Sequence, residues 1–380
     1  MTTRRTFLRT AMLGGAAGTA ARFGRGIALE AGQTTRASGA PPAIIDWHAH
    51  WVGPRVVELL AARPSPRPPQ GAGWFDLDSR LRHMDEAGVQ RQVLSWVGAA
   101  YDGILSPDDA RPIWRAQNDN VAAAVKKYPA RFSGLATLPT ANIAWAAEEL
   151  ERAHSELGLI GAVLPLDAFV TLAGARTLAP IFAVAQKHRS HVFVHRGPAA
   201  PDIPGQALET GATNVYFGLP AAGAASAAAA PTPGDNVQAR TLLITATHLA
   251  TGVITLALTD FLDAYPDVSV QVAMMGGAIS YVAEQIQMAA EEAGKPVPAK
   301  RFRSVYLDTG QSGRGPRGIA LAAKVFGADR ILFGSDSGPT ESIVPTVESV
   351  KQAALTADEK ALIFSGNGLR LLAAKGIGKS

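Results

Sequence analysis

Ile44-Ile45-Asp46-Trp47-His48-Ala49-His50 is a short apolar run that ends in two histidines one residue apart. In an extended chain, residues i and i+2 point to the same side. His48 and His50 therefore present two imidazoles to one point at the end of a strand. Neutral imidazole is a common ligand for zinc and other divalent first-row metals. Alone, the pair is a weak signal, because two surface histidines in a loop look the same. Its meaning depends on what the ends of later strands carry.

Outward from this run the chain alternates strand-like and helix-like segments. Apolar runs predict strands at 44–47, 92–97, 132–138, 160–164, 191–195, 268–274, 304–307 and 330–333. Helical spacing falls between them, at 54–62, 78–88, 107–128, 143–157, 173–187, 240–265, 279–293 and 318–326, and again up to about Ala374. Strands alternating with helices imply a parallel sheet, and eight such units imply closure into a (β/α)8 TIM barrel. The expected architecture is one barrel domain over 41–380. A long Pro-, Gly- and Ala-rich insertion at about 197–239, after the fifth strand, breaks the rhythm. A loop of that length in a compact domain is a lid, a subunit contact in a homo-oligomer, or disorder.

In such barrels the chemistry sits at the C-terminal ends of the strands. The first strand ends in His48 and His50, the fifth in His195, and the eighth in Gly334-Ser335-Asp336. Two imidazoles from one strand, one from the strand opposite and a carboxylate from the last can converge on a single divalent cation. Zinc is expected, with manganese as the alternative. A bound metal lowers the pKa of its water toward neutrality, and Asp336 can take that water's proton.

Composition limits the other choices. The chain has 380 residues, 47% of them apolar and 18% charged, enough for a large core. It has no cysteine, which excludes disulfides, thiolate metal sites and cysteine nucleophiles. The formal charge of +4 is misleading: six arginines against Glu30 give residues 1–40 a net +5, and the remainder is −1. A near-neutral body gives no electrostatic case for nucleic acid or an anionic membrane. Thr3-Arg4-Arg5-Thr6-Phe7-Leu8-Arg9, followed by an Ala/Gly-rich run to Ala21, resembles a twin-arginine export signature. Residues 1–40 are expected to be signal and linker, cut near Ala31 or Ala40, placing the protein in the periplasm or outside the cell with no membrane contact after export.

The chain also resembles the amidohydrolase superfamily, in the branch related to aminocarboxymuconate semialdehyde decarboxylase. The resemblance rests on 45–50, Met84-Asp85-Glu86-Ala87-Gly88-Val89, 128–136, 192–195, Tyr265-Pro266-Asp267-Val268, Val305-Tyr306-Leu307-Asp308-Thr309 and Phe333-Gly334-Ser335-Asp336. It implies a metal-dependent barrel enzyme with His48, His50, His195 and Asp336 as ligands. It implies either hydrolysis of C–O or C–N bonds or decarboxylation of an aromatic or unsaturated acid. One departure stands out. The family usually has a histidine at the end of the sixth strand, where this chain has Met274, whose thioether neither takes nor gives a proton.

Three residues are candidates to replace it: His248, expected at the start of a helix at the barrel mouth, Asp308 and Arg196. Asp308 can face the barrel interior or cap a turn. Arg196 can clamp a substrate carboxylate or close a loop salt bridge. Trp51 can wall the substrate site, and with Trp47 it can as simply pack against the rim. His83, His154 and His188 are expected to be solvated, and His191 structural. The leading expectation is a hydrolase acting on a small organic acid, ester, lactone or amide through a metal-bound hydroxide. The alternatives are a carboxy-lyase and a catalytically silent barrel that only binds a ligand or partner.

Overall fold

The computed structural model describes residues 43–62, 72–96, 105–196, 236–313, 315–339 and 342–377. The expected export segment and nearly all of the insertion lie outside them. Nine strands run in chain order: β1 Ile44–His50, β2 Val89–Ser95, β3 Phe132–Gly134, β4 Ala136–Thr137, β5 Gly161–Pro165, β6 His191–His195, β7 Ser269–Val272, β8 Tyr306–Asp308 and β9 Ile331–Leu332. All neighbouring pairs are parallel, in the orders β1-β2-β3 and β4-β5-β6-β7-β8-β9.

β3 and β4 are two halves of the expected third strand. Leu135 separates them, where the chain changes partner: Leu135 N donates to Leu94 O on one side, and Ile160 N donates to Gly134 O on the other. The seam between the first and last strands carries hydrogen bonds as well. Trp47 N donates to Phe333 O (2.8 Å), Asp336 N to His48 O (2.8 Å) and His50 N to Ser337 O (2.6 Å). Eight strand positions thus close on one another as a (β/α)8 barrel, as the alternation predicts. Every residue of β1, β3, β4, β5 and β6 is buried.

Local chemistry sets the helix boundaries. Ser106 caps Pro107–Lys127 by accepting from Asp109 N, and acidic residues in its first turn and lysines in its last suit the helix dipole. Leu77–Ala87 stops at Gly88, which takes a left-handed φ of 72°. The expected helix 173–187 is two helices, Leu172–Thr177 and Ala179–Lys187. Pro180 has no N–H to continue the first. The expected helix 240–265 ends at Leu258, because Thr259 turns extended and its Oγ1 accepts from Phe261 N (3.2 Å). The expected sixth strand, 268–274, is shorter and stops at Val272. Met274, Met275, Gly276 and Gly277 all have positive φ and make a tight turn into helix Ile279–Glu292. A Cβ at Gly277 would stand 2.0 Å from Ala246 O, so glycine is required there. Among the described residues, no helix is long and apolar enough to cross a membrane.

Candidate metal centre

β1 carries its first ligand, His48, in mid-strand and the second, His50, at its last residue. Each is two residues from an inward neighbour, as the period of a strand requires. β6 ends in His195, and Asp336 follows β9 with a φ of 58°, unusual for a residue with a side chain. The Nε2 atoms of His48 and His50 are 3.1 Å apart, those of His50 and His195 3.2 Å, and those of His195 and His48 3.1 Å. Asp336 Oδ1 lies 3.2 Å from both His48 Nε2 and His50 Nε2. The four side chains are buried, and their donor atoms all lie within 4.8 Å of one another.

The far side of each ring sets which nitrogen faces inward. His48 Nδ1 donates to Asp308 Oδ1 (2.9 Å) and His195 Nδ1 to the carbonyl of Arg196 (2.9 Å). Those acceptors hold one ring proton on Nδ1, so that Nε2 is the nitrogen that would present its lone pair to a metal. His50 Nδ1 meets Ser95 Oγ at 3.2 Å. Nitrogen lone pairs at such contact distances repel unless a cation lies among them. Neighbouring ligands of one ion held at about 2.0–2.2 Å have this spacing. The donor set therefore fits one divalent metal, and nitrogen and oxygen ligands suit zinc or manganese.

The charges agree. Burial lowers the His48 pKa, but the carboxylates of Asp308 and Asp336 outweigh it and raise it to about 10. Burial is the largest cause lowering His50 and His195, with the neighbouring imidazoles adding to it. Burial raises the Asp336 carboxyl, but His48 and His50 more than reverse that, and its pKa falls far below the usual carboxylate range. In the absence of a metal, a proton on His48 supplies the positive charge that two buried carboxylates require.

A second layer holds this set in place. Asp46 accepts from His48 N (3.1 Å), Gln92 Nε2 (2.8 Å), Ser335 N (3.0 Å) and Ser335 Oγ (2.6 Å). Arg80 donates to Gln92 Oε1 (3.1 Å), Ser337 Oγ (2.9 Å), Gly73 O (2.8 Å) and the His50 carbonyl. Its burial lowers its pKa to about 10, partly offset by Asp46. Sequence reasoning missed Arg80. Its signal is a charged residue one turn before Met84 on the buried face of its helix. Asp308 both faces the interior and caps a turn, accepting from Gln271 Nε2 (2.6 Å), Met274 N (3.1 Å) and Gly310 N (2.8 Å) besides His48.

Other expected residues fall elsewhere. Trp51 is buried in the core, its Nε1 donating to Phe75 O (2.9 Å) and its carbonyl accepting from Gln117 Nε2 (2.7 Å). It packs against the rim rather than walling a site. His248 is in the middle of helix Val237–Leu258, not at its start, because Asn236 caps the helix further back. Its Nε2 is 3.5 Å from Asp167 Oδ1, and the charge of Arg196 acts on both residues. His154 and His188 are not solvated singly. Their rings stack at 4.7 Å, with His154 against Ser190 Oγ (2.6 Å) and His188 against Glu151 Oε2 (3.0 Å). His191 is structural, held by Ser269 Oγ (3.0 Å) and Gln271 Oε1 (2.9 Å).

A parallel barrel with three buried imidazoles and a carboxylate at its C-terminal face defines a metal-dependent barrel enzyme. The amidohydrolase family profile matches residues 45–373, and the chain belongs to that family. It is 41% identical over 87 residues to a gamma-resorcylate decarboxylase of Polaromonas sp. strain JS666, a stretch covering 23% of this chain and 27% of that protein. It is 32% identical over 121 residues to the 2-amino-3-carboxymuconate-6-semialdehyde decarboxylase of Dictyostelium discoideum, covering 32% and 34%. The matched stretches thus span about a quarter to a third of those relatives. A crystal structure of dihydroxybenzoic acid decarboxylase from Polaromonas sp. JS666, with manganese and the inhibitor 2-nitroresorcinol, superposes with a TM-score of 0.64 at 22% identity, covering 88% of this chain and 97% of that one.

Proposed function

We propose that this protein is a metal-dependent decarboxylase of a hydroxylated aromatic or unsaturated carboxylic acid, in place of the hydrolase that the sequence first suggests. The observation that carries the reading is that two of the relatives it matches are named as decarboxylases, of gamma-resorcylate and of 2-amino-3-carboxymuconate-6-semialdehyde. The buried His-His-His-Asp set suits it. When bound, a divalent cation supplies the positive charge that attracts and polarises the oxygens of such an acid. His48, His50 and His195 orient that charge through Nε2, with Asp308, Ser95 and the Arg196 carbonyl holding the rings. In the reaction the bond from the ring or vinyl carbon to the carboxylate breaks, carbon dioxide leaves, and the carbon keeps the electron pair and takes a proton. Asp336, ionised at rest, is the group that passes this proton through its carboxylate from the substrate's own carboxyl or hydroxyl group to the carbon, since Met274 has none to give. Burial of the set excludes bulk water.

Manganese- or zinc-loaded protein incubated with a panel of hydroxybenzoates should release one carbon dioxide per substrate consumed. No release from any member, together with cleavage of esters, lactones or amides, would establish hydrolysis instead. Met274 is the observation that favours that second reading, because it removes the family's usual acid–base partner at this position. We also propose that residues 3–9 direct export. Replacing Arg4 and Arg5 by lysine should retain the protein inside the cell.

A further inference from the structure

Beside the metal centre is a second polar group that the proposed chemistry does not use. Asp167 lies in the turn Leu166–Phe169, directly after β5. Pro165, the last residue of β5, pairs with the ligand His195 in the sheet. Asp167 is therefore on the C-terminal rim, one strand over from the metal. His248 reaches the same place from helix Val237–Leu258. That helix packs tightly on the turn: a Cβ at Gly252 would stand 2.4 Å from Leu166 Cδ1. His248 is only 3% exposed, yet among the described residues neither its Nδ1 nor its Nε2 has a hydrogen-bond partner, and Asp167 Oδ1 has none either. At 3.5 Å, Asp167 Oδ1 and His248 Nε2 face each other without bonding.

Each buried polar atom left unpaired costs free energy that a hydrogen bond would recover. Three such atoms on two residues, at the functional rim, point to a missing polar partner. Burial drives the Asp167 carboxyl up to about 7 and the His248 imidazole down to about 4, so near neutrality the imidazole carries little charge and the carboxyl is partly neutral. A weakly charged pair that offers both an acceptor and a ring N–H matches a hydroxyl, which donates through its hydrogen and accepts at its oxygen.

We propose that Asp167 and His248 form a specificity subsite for a hydroxyl group on the substrate, additional to the groups that meet the metal. The subsite rests on the hydroxy-acid reading above and narrows it to substrates carrying a further hydroxyl directed toward β5 and helix Val237–Leu258.

The test is calorimetric binding of 2-hydroxybenzoate and of its 2,3-, 2,4-, 2,5- and 2,6-dihydroxy analogues to the manganese-loaded protein. Carbon dioxide release is followed in parallel. At least one dihydroxy isomer should bind the wild type about tenfold or more tightly than 2-hydroxybenzoate. His248→Phe and Asp167→Leu should bring that ratio close to one while leaving 2-hydroxybenzoate affinity within about threefold. Asp167→Ala and His248→Ala, which also remove the polar groups, serve if the larger apolar variants fail to fold. The melting temperature separates the roles. Removing an unpaired polar group from a recognition site leaves the ligand-free protein as stable or more so, whereas a structural pair would lower it. No dihydroxy preference in the wild type, or a preference that survives in all variants, overturns the proposal. Carbon dioxide release without the preference leaves the decarboxylase reading standing. A variant-sensitive preference without carbon dioxide release leaves the subsite standing and the decarboxylase reading refuted.

Discussion

Replacing Asp308 by asparagine should weaken metal binding without touching a ligand. The buried Asp308 carboxylate accepts from four donors: His48 Nδ1, Gln271 Nε2, Met274 N and Gly310 N. An asparagine offers one oxygen and one NH2. If the oxygen stays on His48, Met274 and Gly310, the NH2 faces Gln271 Nε2, donor against donor. If it flips, the His48 ring loses its acceptor and is free to carry its proton on Nε2, where the metal must bind. Loss of such an outer-layer partner costs about 10–100-fold in metal affinity, or about 1.4–2.8 kcal/mol.

The same change alters the proton balance. Asp308 and Asp336 raise His48 to about 10, so at neutral pH metal binding must expel that proton. Binding should therefore release about one proton per metal in the wild type, with affinity rising about tenfold per pH unit up to about pH 10. With Asp308 neutralised, the His48 pKa falls, and both the proton release and the pH slope near neutrality should shrink. Calorimetry in two buffers of different ionisation enthalpy counts the protons, and competition with a chromophoric chelator gives the affinity. Unchanged affinity and unchanged proton release in Asp308→Asn would refute the account of how His48 is held.

Three further outcomes are expected. Asp336→Asn should abolish turnover, by at least about 100-fold, while circular dichroism shows the fold intact; full activity would remove Asp336 from the proton transfer. Gly277→Ala should destabilise by about 3 kcal/mol on chemical denaturation, since φ is 63° and its Cβ would meet the Ala246 carbonyl at 2.0 Å. Gly294→Ala, with a similar φ of 69° and nothing within 4 Å, should cost only about 1 kcal/mol, so the difference isolates the clash. Burial holds His191 neutral in the folded state, with a pKa of about 3 against 6.5 unfolded. The folded state binds fewer protons, so stability falls as pH drops below 6.5 and keeps falling toward about 3; His191→Asn should flatten that decline by up to about 5 kcal/mol, and an identical pH profile would count against it.

The metal tetrad was legible because each ligand ends or follows a strong apolar run, and the two-residue period of a strand aligns His48 with His50. The layer behind it was not. Arg80 occupies a helix face that the spacing marks as apolar, and only the fold shows the His50 carbonyl and Ser337 that it serves. Asp46 looks like an ordinary residue in a strand run, yet it anchors both β1 and the Ser335 loop. The helix divisions at Pro180 and Thr259 depend on single hydrogen bonds, to which hydropathy spacing is blind. His248 was singled out, but its partner Asp167 belongs to a turn without periodicity, so their pairing needed the packing of one element on another.

The seam between the first and last strands has a consequence for how the molecule is made. His48 comes from the first strand and Asp336 from just beyond the last, and their backbones are joined by the Asp336 N to His48 O bond. The two ligands enter the ribosomal exit tunnel 288 residues apart. A nascent chain cannot hold the ion until nearly everything has been synthesised and the ring of strands has shut. The ion then acts as a clasp across the join. Metal occupancy is in effect a stamp of completion, and a chain truncated before Asp336 should leave the ribosome unable to earn it.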